Sequence, residues 1–333
     1  VSHPRDTGGR PPAVLPEALW RRLEDAHTSA VDELTAGHLE RRRRGEPHPV
    51  VDFLFTYYRT SVGTVRRWHP GPGLLLEGAQ HTERREWRHY RTGTVAGRTG
   101  LLVAAGSVRQ RRGERLDRAR GILAATLARP GATGCFGLHE WAMLHGAGRE
   151  GARHRAVPLR LAPEEIDAVV EESGVRCTHF DAFRFFTDSA VPLNHRRLER
   201  DGQAADEQPA CLHAGMDAYA WATGMEAGAP GELVVDALRA AFAAREMDMR
   251  SSPYDLGAWG LSPVPVETAA GRAEFVAFQR GWIRRTNVLR RRLLAALDAL
   301  DRWAGPGQET GSATAVAPQS ATATSATSRP SSA

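Results

Sequence analysis

The stretch Ala269-Ala-Gly-Arg-Ala-Glu-Phe275-Val-Ala-Phe278-Gln-Arg-Gly-Trp282, running on through Leu289, Leu293, Leu297 and Leu300 to Trp303, decides the fold class. Its large apolar residues return every three to four positions and share one stripe, with most of the arginines on other faces. The spacing predicts a single long helix from about Ala269 to Trp303.

The same period recurs upstream. Leu19, Leu23, Ala26, Ala30 and Leu34 follow Pro16 and predict a helix ending near Gly37. Leu116, Ile122, Leu123 and Leu127 predict another, closed by Pro130. Pro163 opens one through Ile166, Val169 and Val170 that stops at Gly174, and Leu233 to Met249 reads as a longer one. Val51-Asp-Phe-Leu-Phe-Thr-Tyr-Tyr58 fits a helix or a buried strand. Strands are expected at Leu74-Leu75-Leu76, at Gly100-Leu101-Leu102-Val103, and at Val175-Arg-Cys-Thr-His-Phe-Asp181, which alternates after a glycine. The reading is a helix-rich α+β single domain with a few short strands, over about residues 15–303. Residues 1–14, rich in Pro and Gly, are expected to be loose. Residues 304–333, rich in Ser, Thr, Ala and Pro, are expected to be a disordered tail, because they cannot bury enough apolar surface to fold.

Composition narrows the function classes. The 333 residues are 41% hydrophobic, enough to fill a sizeable core. The three cysteines lack framework spacing, no apolar stretch is long enough to cross a membrane, and the first residues show no signal-peptide pattern. A reduced, cytoplasmic protein without a membrane partner is expected. All 44 basic residues are arginine, so neither a Schiff-base lysine nor the lysine of a P-loop is available. Residues 1–130 carry 23 Arg against 14 Asp and Glu, while residues 131–279 carry 13 against 22. Arg280, Arg284, Arg285 and Arg290 to Arg292 then restore positive charge. Arginine-rich flanks around an acidic centre suit an anionic polymer such as DNA.

Each cysteine lies just upstream of a histidine and a carboxylate, in Cys135-Phe-Gly-Leu-His139-Glu140, Cys177-Thr-His179-Phe-Asp181 and Cys211-Leu-His213-Ala-Gly-Met-Asp217. These side chains ligate metals and move protons. On a strand, Cys177, His179 and Asp181 would share a face, and on a helix His213 and Asp217 would. His139 and Glu140 would diverge by about 100° on a helix, so at most one is expected in a common pocket. Met143 stands where a His-Glu-x-x-His motif needs its second histidine, and Pro209-Ala-Cys211 lacks the second cysteine of a deaminase. His179-x-Asp181 with His213 matches a two-His, one-carboxylate iron site. Trp141, Phe183 and Tyr219 are candidates to stack a planar group such as an extruded base.

Several longer segments resemble one family. They are Asp52-Phe-Leu-Phe-Thr-Tyr-Tyr58, Trp68-His-Pro-Gly71, Gly134-Cys-Phe-Gly-Leu-His-Glu-Trp-Ala-Met143, Thr178-His-Phe-Asp-Ala-Phe-Arg-Phe-Phe186, Glu207-Gln-Pro-Ala-Cys-Leu-His213 and Asp248-Met-Arg-Ser-Ser-Pro-Tyr-Asp255. Over roughly residues 50–295 the chain is similar to a family of high-GC bacteria labelled 3-methyladenine DNA glycosylase. The resemblance implies a DNA repair hydrolase that cuts the N-glycosidic bond of alkylated purines, with no cofactor expected; without lysine it would be monofunctional. It carries over no catalytic residue. Asp181, Asp217 or Glu140 would then stabilise charge at the sugar, His179 or His213 would partner a proton, and Arg280, Arg284 and Arg285 would hold DNA. The alternative is an enzyme acting on a small molecule through one divalent transition metal, held among His139, His179, Asp181 and His213. A third reading, resting on charge alone, is a non-catalytic nucleic-acid-binding protein.

Overall fold

The computed structural model describes residues 11–146, 154 and 156–305. Calls for residues 1–10 and for the tail beyond Gly305 therefore lie outside the described residues. In chain order the helices are α1 (Glu17–Arg44), α2 (Val51–Tyr57), α3 (Val62–Val65), α4 (Ala105–Ala128), α5 (Leu138–Ala142), α6 (Pro163–Ser173), α7 (Phe180–Phe183), α8 (Gln203–Asp206), α9 (Leu212–Gly224), α10 (Gly231–Arg250) and α11 (Ala269–Ala304). The strands are β1 (Ala13–Leu15), β2 (Leu74–Glu77), β3 (Tyr90–Val95) and β4 (Arg98–Val103). They form one sheet in the order β1-β2-β4-β3, parallel only at β1–β2, where Ala13 pairs with Leu74 and Leu15 with Leu76. This is the helix-rich α+β single domain that the apolar spacing predicts.

Three expectations need correction, and one left open is resolved. Helix α1 runs past Gly37 to Arg44, because Val31, Thr35 and His38 bury one continuous face. A helical glycine costs only about 1 kcal/mol. The stop is Gly45 in the left-handed conformation, its N–H bonded to the carbonyls of Arg41 and Arg42. Residues 13 and 14, expected to be loose, pair with β2 as part of β1. Val51–Tyr57 is a helix. Residues 175–181 form no strand: Val175 makes one isolated bridge to Asn194, and α7 starts at Phe180. The Asn194 side chain replaces a ladder, accepting from the Cys177 amide at 2.8 Å and donating to the Cys177 carbonyl at 3.1 Å.

Helix α9 is the centre of the molecule. Ten of its 13 residues are buried, and it packs against α10, α11 and α4. The crossing with α11 is close because Gly215 has no side chain. A Cβ there would lie 2.3 Å from the Trp282 ring, which is itself buried and donates to the Cys211 carbonyl at 3.1 Å. We expect Gly215→Ala to destabilise by about 1–3 kcal/mol, overpacking outweighing the gain in helix propensity. An unchanged urea midpoint would mean that the two helices can part without cost.

A smaller core of Trp20, Trp68, Leu76, Ala79 and Leu101 joins the start of α1 to the sheet. Beside it His27 is buried, with Nε2 bonded at 2.8 Å to the Val65 carbonyl. Burial holds this imidazole below its ordinary value, so the folded protein keeps it neutral. The unfolded chain takes up a proton below about pH 6.5, whereas the folded chain does not. Its stabilising contribution is therefore complete above that pH and declines as the pH falls. Urea titrations across pH 5 to 8 should show this slope, and His27→Gln should flatten it.

Candidate metal centre

The three Cys–His–carboxylate segments do converge, through His139, His179, His213 and Asp217. His139 comes from α5, His179 from the extended residue ahead of α7, and His213 from the first turn of α9. The rings of His139 and His213 lie 4.5 Å apart and nearly perpendicular, and those of His179 and His213 lie 5.3 Å apart. Asp217, one turn beyond His213, accepts from His179 Nε2 at 3.0 Å and from the Tyr58 hydroxyl at 2.9 Å.

Two carboxylates complete the cluster that residue spacing did not single out. Asp248, from the last turn of α10, brings Oδ1 to 2.9 Å from His139 Nε2. Glu207, just past α8, brings Oε1 to 3.3 Å from His179 Nε2. Both acids are almost wholly buried. Their signal is present in hindsight. Asp248 continues the buried α10 face of Leu238, Ala241 and Ala244, where an acid is out of place, and Glu207 belongs to the quoted segment ending at His213.

Two groups of three buried donors result, His139–His213–Asp248 and His179–Glu207–Asp217. Within each, the ligating atoms all lie within 4.8 Å of one another. His139 Nε2 and Asp248 Oδ1 lie 2.9 Å apart as an ion pair. His179 Nδ1 is buried without a hydrogen-bond partner. An imidazole here offers its lone pair to a metal once it gives up its proton, and the carboxylate oxygens offer theirs directly. Nitrogen and carboxylate donors suit zinc, manganese or iron.

Electrostatics follow from burial and these contacts. Burial alone would depress His139 and His179, but the neighbouring carboxylates outweigh it. Asp248 and Glu140 hold His139 above its ordinary value, and Glu207 and Asp217 push His179 up to about 9. Burial raises Glu207 to about 7 and, with His139 nearby, lowers His213 to about 3. Burial also opposes ionisation of Asp248, yet His139 and His213 hold it well below the usual carboxylate range. The cysteines are not donors here. Burial raises all three thiols, Cys177 to about 12, so they stay protonated.

His139 and Glu140 were not expected to meet in one place, yet both join this network. Arg245 Nη1 donates to Glu140 Oε1 and to Asp248 Oδ2, each at 2.8 Å, and so connects the two directions. Asp181 is displaced from the cluster. Because α7 begins at Phe180, its carboxylate sits at the rim, paired with Arg184 at 3.0 Å and Arg200 at 3.5 Å. Trp141 and Tyr219 are fully buried and Phe183 nearly so. Trp141 donates to the Ser251 carbonyl at 2.9 Å, and Tyr219 meets Tyr58 edge-on, so these rings pack the core where base stacking was expected. Arg280, Arg284 and Arg285 are exposed on α11, whereas Arg290 is buried.

A cleft lined by Phe53, Tyr57, Glu140, Asp181, His213 and Arg245 reaches the cluster, with a volume of about 20 Å³. That is the room of one water. It shares Phe53 and Tyr57 with a wider cleft of about 450 Å³ walled by Pro47, Pro49, Val157 and Trp259. Among the described residues no helix is long and apolar enough to cross a membrane. Comparison with known protein families, with curated proteins and with solved structures finds no match to this chain.

Proposed function

We propose that this chain is a metal-dependent enzyme acting on a small molecule, with a two-ion transition-metal centre. The observation that carries the reading is the pair of buried three-donor groups, which meet at His213 and His179 and share helix α9. His139, His213 and Asp248 would hold one ion, and His179, Glu207 and Asp217 the other. His213 and Asp217 are one turn apart, and four residues of helix rise about 6 Å, so the ions would be neighbours. Such ions supply Lewis acidity and lower the pKa of bound water. The chain's own residues do the rest. Tyr58 and Arg245 orient Asp217 and Asp248, while Phe53 and Tyr57 narrow the approach and exclude bulk water. Glu140 and Asp181 present carboxylates to the cleft.

The test is elemental analysis of protein purified without chelators, before and after dialysis against a chelator. About two equivalents of zinc, manganese or iron per chain are expected, with a lower unfolding temperature after removal. A chain that neither carries nor takes up such ions would end this reading.

A second reading, excision of alkylated purines from DNA, draws on the exposed Arg280, Arg284 and Arg285. It ranks below the first because the narrow cleft beside the carboxylates has room for one water, far less than a purine. Base release from methylated DNA that survives chelation would reverse the order.

A further inference from the structure

A second ligand-sized cleft lies apart from the metal centre. It runs between the C-terminal turns of α1 and one face of α2, with a volume of about 600 Å³, in the range of small-molecule sites. Helix α2 stands between the two regions, since Asp52 and Thr56 border both this cleft and the wider one leading to the metal centre.

The lining is specific. His38 is buried; its Nδ1 lies 2.8 Å from Asp52 Oδ1, and its ring stacks on Phe55 with centroids 4.5 Å apart. The second Asp52 oxygen accepts from the His48 amide at 2.8 Å. Imidazole and carboxylate are thereby fixed, and the remaining His38 nitrogen makes no hydrogen bond among the described residues. Both carboxylates of the cleft are engaged, Asp52 with His38 and Glu46 with Arg44 at 3.2 Å. The guanidiniums of Arg42 and Arg59 also line it and make no ion pair or hydrogen bond among the described residues.

Arg59 has φ 50°; it follows Tyr58, the C-cap of α2, where a helix commonly ends on one left-handed residue, usually glycine or asparagine. The C-terminal end of α1 disfavours an anion, but Arg41 to Arg44 in its last turn oppose that dipole. Arg59 is positive charge beyond this compensation. Phe55, Val62 and Pro47 add an apolar wall, and Thr56 and Ser61 add hydroxyls.

We propose that this cleft binds a small organic phosphate monoester. The phosphate sits between Arg42 and Arg59 with His38 beneath it, and the organic part lies along Phe55 and Val62. A monoester offers three free oxygens to two guanidiniums and an imidazole, whereas a diester offers two and cannot enter by its end. The proposal is independent of the metal reading.

Calorimetric titration of the full-length protein with phenyl phosphate, inorganic phosphate and a diester tests it. Saturable binding of phenyl phosphate is expected, tighter than inorganic phosphate, with the diester weaker by at least about tenfold. Arg59→Gly should weaken binding at least about tenfold while the unfolding midpoint holds or rises, because glycine relieves the positive φ. If the midpoint falls instead, Arg42→Ala decides, with the same loss of affinity expected. The proposal is overturned by absence of saturation at about 10 mM. Unchanged affinity in either variant overturns it too, as does a diester or a short DNA strand binding as tightly as phenyl phosphate.

Discussion

His213→Ala should deprive the chain of at least one tightly held transition-metal ion, and Asp217→Asn should weaken the neighbouring one. His213 is one of three donors in its group, and a structural or catalytic site rarely keeps its ion on two protein ligands. His179→Ala and Asp248→Asn should act like His213→Ala, each in its own group. Asp181→Asn is the informative contrast. Its carboxylate pairs with Arg184 and Arg200 at the rim, so metal content should stay at the wild-type level even if turnover changes. Elemental analysis of the five proteins, together with the rise in melting temperature on adding metal, separates the patterns. Metal content indifferent to His213, His179 and Asp248 would reduce the cluster to a buried ion-pair network.

The largest effect on stability is expected at Arg245. Its guanidinium is buried, bonds Glu140 and Asp248 at 2.8 Å each, and lies 4.0 Å above the Phe53 ring. Arg245→Met keeps the volume but leaves two buried carboxylates short of their cation, at a cost of about 3–5 kcal/mol. Glu140→Gln in the same chain should restore part of this, because Asp248 keeps His139 while the neutral amide needs no counter-charge. A double variant no better than the single one would locate the penalty in packing over Phe53. Equilibrium urea unfolding of the wild type and the two variants measures both.

How far the chain could be read depended on whether a feature is local. α4, α10 and α11 are legible because burial of one face imposes a 3.6-residue period on the sequence itself, whereas α9, with ten of 13 residues buried, carries no such period. The hairpin of β3 and β4 turns on Ala96 and Gly97, both at positive φ. With alanine in place of the usual asparagine, its turn signal is faint. Residues 175–181 alternate like a strand, but alternation says nothing about a partner. What the segment meets is the side chain of Asn194.

The site divides the same way. His139, His179, His213 and Asp217 stand out by residue type and spacing. Glu207 and Asp248 reach them only through the packing of α8 and α10, which spacing does not encode. Asp181 leaves the cluster because one turn of helix begins a residue before it.

Helix α2 carries a kinetic consequence. It has seven residues, with Leu54 alone fully buried, and isolated helices so short are unstable in water. It nevertheless supplies Phe53 and Tyr57, which line the cleft of about 20 Å³ at the candidate metal site, room for one water. Segments of this kind open locally at a small fraction of the global unfolding free energy. Amide exchange should therefore be faster in α2 than in α9 by orders of magnitude. Transient opening of these two turns gives anything larger than water its route inward. The rate at which the buried donors are reached should thus follow the stability of a helix that bonds none of them except through its neighbour Tyr58.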